Sequence, residues 1–327
     1  MSPGGGWKGE VRLMRVLEQS ADAADIRERG CVVAIGTFDG VHLGHQKLIS
    51  RAVELAREAG VAAVVFTFRN HPMSVLAPDR EPLSLYPLEE RRRVFAKLGV
   101  DFVIEEPFTE ELAALSPDDF LELLVERLAP RAVIVGANFS FGAGGRGTPE
   151  FLARRGQALG VRVEEAPLLF LDGERVSSTR IRALLAAGNV RSAGELLGHP
   201  FAIAGVVEHG DERGRKLGFP TVNITPVKGQ ALPADGAYAV RILCPDGKEW
   251  SGVANVGDNP TFGGDPLRIE AHLLDFSGDL YGLRLVVRFI ERLRGEEKFP
   301  SAEALIRQIK KDEERAREIF SSLSSLC

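Results

Sequence analysis

The sequence predicts an α/β domain built on a parallel sheet, followed by an antiparallel β domain that ends in a helix. Three observations carry this prediction. Up to about residue 187, short β-rich runs alternate with helical stretches. Beyond Phe201, short alternating runs succeed one another without helices, separated by Gly, Pro, Asn and Asp. A chain of 327 residues is long for one core and comfortable for two.

In the first part the candidate strands are residues 32–36, 62–68, 102–105, 132–136 and 161–167, and the candidate helices are 42–59, 88–98, 116–128 and 149–159. Continuous apolar strands bounded by helices indicate a parallel sheet covered on both faces. In such sheets ligands gather beyond the carboxyl ends of the strands, so polar chemistry is expected in the segments that follow each strand. In the second part the runs 201–207, 237–243, 249–256, 267–274 and 283–293 read as strands of a barrel or sandwich. A helix from Ser301 to about Ser322 closes the chain, and its Ala302, Leu305, Ile306 and Ile309 form an apolar stripe expected to pack on the core. Gly198-His199-Pro200 marks a break between the parts.

The segments after the strands carry the expected polar residues. The first strand is followed by Gly36-Thr37-Phe38-Asp39-Gly40-Val41-His42-Leu43-Gly44-His45, a glycine-bearing turn opening into a helix. Glycine lets the backbone approach a ligand closely, and a helix start offers free N–H groups and a positive dipole end, which suit phosphate. His42 and His45 are three residues apart and share one face of the first turn. From there two imidazoles can donate hydrogen bonds to oxygens that gain charge in phosphoryl or nucleotidyl transfer. A zinc site is a poor alternative, because His-x-x-His supplies two ligands and no cysteine or acidic partner stands at zinc spacing. Thr67–Pro72, the stretch 136–147 with Asn138, and 177–182 follow other strands. Ser177, Ser178 and Thr179 can cap a helix, while Arg180 and Arg182 can pair with phosphate oxygens.

Composition narrows the class. Hydrophobic residues make up 44% and charged residues 27%, the balance of a globular protein. The net charge of −5 argues against a nucleic-acid partner. Cys31, Cys244 and Cys327 are far apart and odd in number, as expected of incidental or buried thiols in a reducing compartment. No signal-peptide core and no bilayer-length apolar run is present, so a cytoplasmic location without membrane contact is expected.

The second part has its own glycine-rich loop, Gly210 to Gly218, then Phe219-Pro220-Thr221-Val222-Asn223. Its spacing is that of neither a P-loop nor a kinase-type glycine loop. Its glycines with Arg213, Arg215 and Lys216 can still cradle phosphates, and Thr221 and Asn223 offer neutral oxygens of the kind that share magnesium with substrate phosphates. Further on, period-two alternation places Glu270 and His272 on one strand face, with Ile269 and Ala271 on the other. A carboxylate held on a strand beside a hydroxyl can accept its proton.

Residues 36–45 resemble the His-x-Gly-His signature of the nucleotidyltransferase superfamily. From about residue 30 to 310 the whole chain resembles the prokaryotic bifunctional riboflavin kinase/FAD synthetases. The stretches 36–46, 67–72, 136–147 and 177–182 look like their adenylyltransferase motifs, and 210–223, 233–238, 252–262 and 270–276 look like their kinase motifs. The resemblance implies a Rossmann-like nucleotidyltransferase domain (14–187), a linker (188–200) and an antiparallel β-barrel riboflavin kinase domain with its terminal helix (201–327). It implies that ATP phosphorylates riboflavin to FMN and that a second ATP adenylylates FMN to FAD, with Mg2+ accompanying ATP and the flavins as substrates and products. Small molecules would be the partners, and self-association is compatible with this reading. By similarity Glu270 is the kinase base, and Thr221 and Asn223 organise magnesium. Kinase ATP would meet Gly210, Gly214, Arg215, Lys216, Gly218, Pro220, Thr221 and Asn223. In the other domain His42 and His45 would stabilise the ATP phosphates, with Gly36, Thr37, Phe38, Asn138, Ser178, Thr179 and Arg182 in the same site. Asp258-Asn259 stands before Pro260 where a basic residue is usual, so a phosphate or flavin contact there is expected to differ.

Overall fold

The structure is a computed structural model that describes residues 14–208, 221–257 and 268–324. The expected residues Gly210, Gly214, Arg215, Lys216, Gly218 and Pro220, the stretch Asp258-Asn259-Pro260 and Cys327 lie outside the described residues.

Among the described residues, six parallel strands form the N-terminal sheet: β1 (Arg15–Leu17), β2 (Cys31–Ile35), β3 (Ala62–Phe68), β4 (Phe102–Glu106), β5 (Pro130–Gly136) and β6 (Arg162–Ala166). Their order is β1-β4-β3-β2-β5-β6. The five expected strands are all present, and β1 is additional. It spans only three residues, half exposed at the sheet edge beside β4, too short to show a period in the sequence. Before β2 comes α1 (Ala24–Arg29), and α2 (Leu43–Ala59) links β2 to β3. The next connections hold α3 (Met73–Leu76) and α4 (Leu88–Lys97), then α5 (Glu110–Ala114) and α6 (Pro117–Leu128), then α7 (Pro149–Ala158).

The sheet is buried because its strands are apolar throughout. Every residue of β2 is buried, and Val33, Ile35, Val64, Phe66, Ile104 and Val133 join Phe120, Leu121 and Leu124 of α6 in one core. Helix α2 buries Leu48, Ile49, Ala52, Leu55 and Ala56, one stripe at helical spacing. Helix α6 begins with a capping box in which Ser116 and Asp119 each satisfy the other's backbone N–H, worth about 1 kcal/mol for such a cap. Cys31 lies in this core, and burial pushes its thiol pKa up to about 12, so it is an inert thiol as the composition implied.

The chain divides into two compact units. The first holds residues up to Phe38, Gly44–Pro82 and Leu88–Leu169, and the second holds Asp39–Leu43, Leu83–Pro87 and everything from Phe170 onward. In the second unit a small hairpin, β7 (Phe170–Leu171) and β8 (Glu174–Arg175), leads to α8 (Ser178–Ala186) and α9 (Val190–Leu197). The interval 188–200 is thus largely helical, with Asn189 capping α9 by accepting a hydrogen bond from Ser192 N at 3.2 Å.

Six antiparallel strands then close a barrel: β9 (Phe201–Glu208), β10 (Thr221–Pro226), β11 (Gly236–Leu243), β12 (Glu249–Gly257), β13 (Arg268–Leu273) and β14 (Arg284–Arg294), in the order β10-β13-β12-β11-β14-β9. Each strand has two neighbours, which settles the barrel-or-sandwich alternative as a barrel. Strand β10 is not among the expected runs, since Thr221-Val222-Asn223-Ile224-Thr225 is short, mostly polar and flanked by prolines. The interior is filled by large side chains such as Phe201, Phe289, Tyr238 and Ile242 against small ones such as Ala254 and Ala271, all fully buried.

Helix α10 (Ala302–Ser324) closes the described fold and lies on the outer face of the barrel. Its Ala316, Ile319 and Phe320 pack against Ala239 and Leu274, with Val253, Ile290 and Leu293 around them. The packed stripe is therefore in the second half of the helix. Ala302 is exposed, and Leu305 and Ile309 instead face a cavity.

Candidate functional site

In the first unit the strand order reverses beside β2, where β3 and β4 run off to one side and β5 and β6 to the other. A parallel sheet opens a crevice at such a point, beyond the carboxyl ends of the two diverging strands. The segments leaving β2 and β5 carry Gly36, Thr37 and Phe38 on one side and Asn138 on the other. The Thr37 carbonyl is fixed by two donors, Thr67 Oγ1 at 3.0 Å and Arg91 Nη1 at 3.0 Å. Gly36 is closely covered, since a Cβ there would stand 3.0 Å from the Phe38 ring and would push it aside. His45 lies in the first turn of α2, and its ring meets Phe38 edge-on at 5.3 Å and 85°. Phe38 is itself buried and packs on Phe95 at 6.1 Å. The side-chain oxygen of Asn138 turns back over Gly136, 3.5 Å from where a Cβ would sit. In the expected motif at 67–72, Asn70 instead closes a loop: its amide bonds Phe108 O at 2.9 Å and its carbonyl accepts from Phe108 N at 2.9 Å.

The backbone through this turn is strained. Phe38 (φ 47°) and Val41 (φ 42°) adopt left-handed conformations, as does Gly40 (φ 76°). Non-glycine residues held so cost of order 1–3 kcal/mol each and persist where surrounding structure fixes them, which is common at ligand sites.

His42, directly before α2, is 7% exposed. Burial lowers its imidazole pKa from 6.5 to about 4, and the nearby positive charge of Arg175 adds to the shift. The ring is therefore neutral at pH 7. The unfolded chain takes up this proton below about pH 6.5 and the folded chain only below about pH 4. Between those values the unfolded state holds the extra proton, so stability falls as pH drops through this window, by up to about 3 kcal/mol from this one group. Thermal midpoints measured from pH 7.5 to 4.5 are expected to fall less steeply in His42→Asn than in the parent. Parallel slopes would remove His42 as a source of acid sensitivity.

The segment 177–182 forms the start of α8 in the second unit. Ser177 is the N-cap, accepting from Arg180 N at 3.3 Å. Ser178 Oγ donates to Asp39 O at 3.1 Å, and Thr179 is exposed. Arg180 holds the β7–β8 hairpin, donating to Leu171 O at 3.2 Å and Glu174 O at 3.3 Å and pairing with the Glu174 carboxylate at 2.8 Å. Arg182 turns to Leu83 O at 2.8 Å and to the Asp39 carboxylate.

The barrel brings its expected residues together through register. Asn223 of β10 stands opposite Glu270 of β13, which stands opposite Asn255 of β12. One step along, Thr221 is opposite His272, which is opposite Val253. Residues in register share a face, and Ile269 and Ala271 are fully buried on the inner one. The expected alternation is thus present. Glu270, His272, Thr221 and Asn255 line a cavity of about 270 Å³ between the outer barrel face and α10, walled by apolar residues such as Val253, Phe299 and Leu305 and by the charged Arg294, Glu296, Glu297, Asp312 and Glu313. Two polar ties hold α10 over it. His272 Nε2 meets Glu313 Oε1 at 3.0 Å, and Arg294 Nε donates to Asp312 Oδ2 at 3.0 Å while Gln308 Nε2 donates to Asp312 Oδ1 at 2.9 Å. The cavity walls from α10 and the contribution of Asn255 are not among the sequence expectations. Asn255 is legible by the same period-two count that finds Glu270, whereas the helix walls depend on how α10 docks.

Residues 24–180 match the family model described as FAD synthetase, and residues 197–320 match the one described as riboflavin kinase. The chain is 40% identical over 311 residues to the bifunctional riboflavin kinase/FMN adenylyltransferase of Escherichia coli strain K12, spanning 95% of this chain and 98% of that one. It is 43% identical over 291 residues to the protein of the same name from Pseudomonas fluorescens, spanning 88% and 93%. A crystal structure from Streptococcus pneumoniae, named a macrolide-efflux protein, superposes with a TM-score of 0.84 at 32% identity over 93% of this chain and 98% of that one. The efflux in that name is said of that protein alone. Among the described residues no helix is long and apolar enough to cross a membrane. With a parallel-sheet half and a barrel half each matched by its own model, and relatives aligned across nearly their full length, the chain belongs to the bifunctional riboflavin kinase/FMN adenylyltransferases, which phosphorylate riboflavin to FMN with ATP and adenylylate FMN to FAD.

Proposed function

We propose that the two reactions divide between the two halves, phosphoryl transfer on the outer face of the barrel and adenylyl transfer beyond the ends of β2 and β5. The observation that carries this reading is the register that sets Asn223, Glu270 and Asn255 side by side next to a cavity that combines apolar residues such as Val253, Phe299 and Leu305 with charged ones such as Arg294 and Glu296. Apolar side chains with a few convergent polar groups are what a ligand that is part ring and part hydroxylated chain requires. In the barrel, Glu270 accepts the proton of the ribityl 5′-hydroxyl as its oxygen attacks the γ-phosphorus of ATP and ADP leaves. The transition state of such a transfer is loose, so positioning and charge stabilisation supply most of the catalysis. Thr221 and Asn223, with the loop from Gly210 to Pro220, hold the nucleotide.

The donor set fits magnesium. Neutral hydroxyl and amide oxygens beside one carboxylate suit an ion that keeps most of its coordination for phosphates and water, and among the described residues no cluster of three or more His, Cys, Asp or Glu offers an all-protein metal cage. When bound, Mg2+ neutralises charge on the ATP phosphates. Excess EDTA is expected to stop both conversions and added Mg2+ to restore them. A conversion that persists at full rate in EDTA would remove the metal from that step.

At the sheet, a phosphate oxygen of FMN attacks the α-phosphorus of a second ATP and pyrophosphate leaves, with no proton to remove from the nucleophile. His42 and His45 donate hydrogen bonds to phosphate oxygens, and Gly36, Thr37, Phe38, Asn138, Ser178, Thr179 and Arg182 shape the rest of the site. The functional domains are residues 14–187 and 201–327, joined through 188–200. The negative net charge supports small-molecule partners rather than nucleic acid, and the proposed setting is the cytoplasm. Single replacements in each half, assayed separately on riboflavin and on FMN, test the division. Loss of both conversions from either replacement, in folded protein, would overturn it.

A further inference from the structure

Asp39 lies inside the histidine turn but belongs to none of the roles assigned above. The residue is buried and its carboxylate is used at both oxygens: Oδ1 accepts from Leu85 N at 2.9 Å, and Oδ2 accepts from Arg182 Nη2 in an ion pair. Its main-chain oxygen accepts from Ser178 Oγ at 3.1 Å. Arg182 completes the link through Nε, which donates to Leu83 O at 2.8 Å. Thus one residue ties the histidine turn, the segment Leu83–Leu85 and the start of α8. It does so from within the strained backbone, between Phe38 (φ 47°) and Val41 (φ 42°). Gly40 beside it is tightly enclosed, since a Cβ would lie 3.0 Å from Leu85 Cδ1 and 3.2 Å from Leu197 Cδ2.

This geometry constrains what Arg182 can do. A guanidinium grips a phosphate with two parallel N–H groups only when both stand free. Here Nε and one N–H of Nη2 are committed to Leu83 and Asp39, which leaves the Nη1 end of the fork, with the second Nη2 N–H, as the edge for a ligand. A planar group bonded at two nitrogens has one orientation, so the direction of that remaining edge is decided by Asp39. Resting on the reading that Arg182 meets the ATP phosphates, we propose that Asp39 is a positioning residue of adenylyl transfer: its charge fixes the arginine fork, and through it the free edge aimed at the nucleotide.

The test is a double-mutant cycle on FMN adenylylation, with riboflavin phosphorylation measured on the same preparations. Asp39→Asn keeps the shape and an acceptor for Leu85 N but removes the charge. It is expected to lower kcat/KM for ATP in FAD formation on the order of 10–100-fold, the range found when the partner that orients a functional group is removed. KM for FMN and the rate of FMN formation should stay within about twofold of the parent. Asp39→Glu, which keeps the charge, should recover part of the loss. Arg182→Ala should be impaired at least as much, and adding Asp39→Asn to it should cost nothing further, because the two act as a unit. An Arg182→Ala enzyme with full FAD formation would overturn the phosphate role of Arg182 and the inference with it. An impaired Arg182→Ala beside a normal Asp39→Asn, or losses that simply multiply, would overturn the inference and leave that role standing. Loss of both activities in Asp39→Asn and Asp39→Glu alike would make the carboxylate a fold-holding group, which also overturns it.

Discussion

Replacing Glu270 with alanine is expected to lower FMN formation by roughly 10²–10⁴-fold, the span of a positioned general base, while FAD formation from added FMN continues at the parental rate. The size follows from where the carboxylate stands. It is carried by a strand hydrogen-bonded on both sides, so its backbone is as rigid as the barrel. Its flanking partners in register are two asparagines, Asn223 and Asn255, which can orient an acceptor without competing to carry the proton. The next outward-facing residue, His272, is engaged with Glu313 of α10 at 3.0 Å and so serves the cavity wall rather than the hydroxyl. Glu296, Glu297, Asp312 and Glu313 line the same cavity, but Asp312 is taken up by Arg294 and Gln308 and Glu313 by His272. Glu270→Gln should behave like the alanine variant, since shape without basicity does not accept a proton. Chromatographic quantitation of FMN from riboflavin and Mg-ATP checks this, with folding controlled by FAD formation in the same sample. A Glu270→Ala enzyme within tenfold of the parent would show that positioning alone carries the phosphoryl transfer and that Glu270 is not its base.

Much of this arrangement is legible in the amino-acid sequence, for reasons that can be stated residue by residue. The strands of the parallel sheet are apolar on both faces, and runs such as 31–35 and 62–68 announce themselves by composition. The face that carries Glu270 follows from a period of two, which needs only four consecutive residues. The features that the sequence hides depend on contacts between distant positions. Strand β10 has few apolar residues and becomes a strand because β9 and β13 offer it hydrogen bonds. The apolar stripe at the start of α10 reads like core, yet docking of the second half of the helix leaves Leu305 and Ile309 against a cavity. Asp39 sits in the most conspicuous motif of the chain, but its partners are residues 85, 178 and 182, and no spacing rule joins those positions. The sequence thus shows which residues have reactive chemistry more readily than which residues hold them in place.

His45→Ala is the reciprocal experiment and should lower FAD formation from FMN by about 10²–10³-fold, as loss of one donor to a developing charge does, with FMN formation spared. On the proposed reading His45 would donate from a fixed position. Its ring is packed edge-on against Phe38, which is wedged in turn against Phe95 and held with positive φ by the strained turn. A donor immobilised in this way needs no reorganisation as charge builds on the phosphate, which is why its removal should appear mainly in kcat. His45→Gln, an uncharged donor on a flexible stem, should recover only a small part, because the packing that aims the ring is lost. The two reciprocal variants can then be combined in one vessel. Neither Glu270→Ala nor His45→Ala alone should carry riboflavin through to FAD, but an equimolar mixture should, since FMN released by the His45→Ala protein supplies the intact sheet site of the Glu270→Ala protein. A mixture in which FMN stops at the amount of the His45→Ala protein and no FAD forms, although the Glu270→Ala protein adenylylates added FMN, would mean that FMN does not leave the protein that makes it. A mixture that yields neither product would mean that His45 and Glu270 do not belong to separate sites.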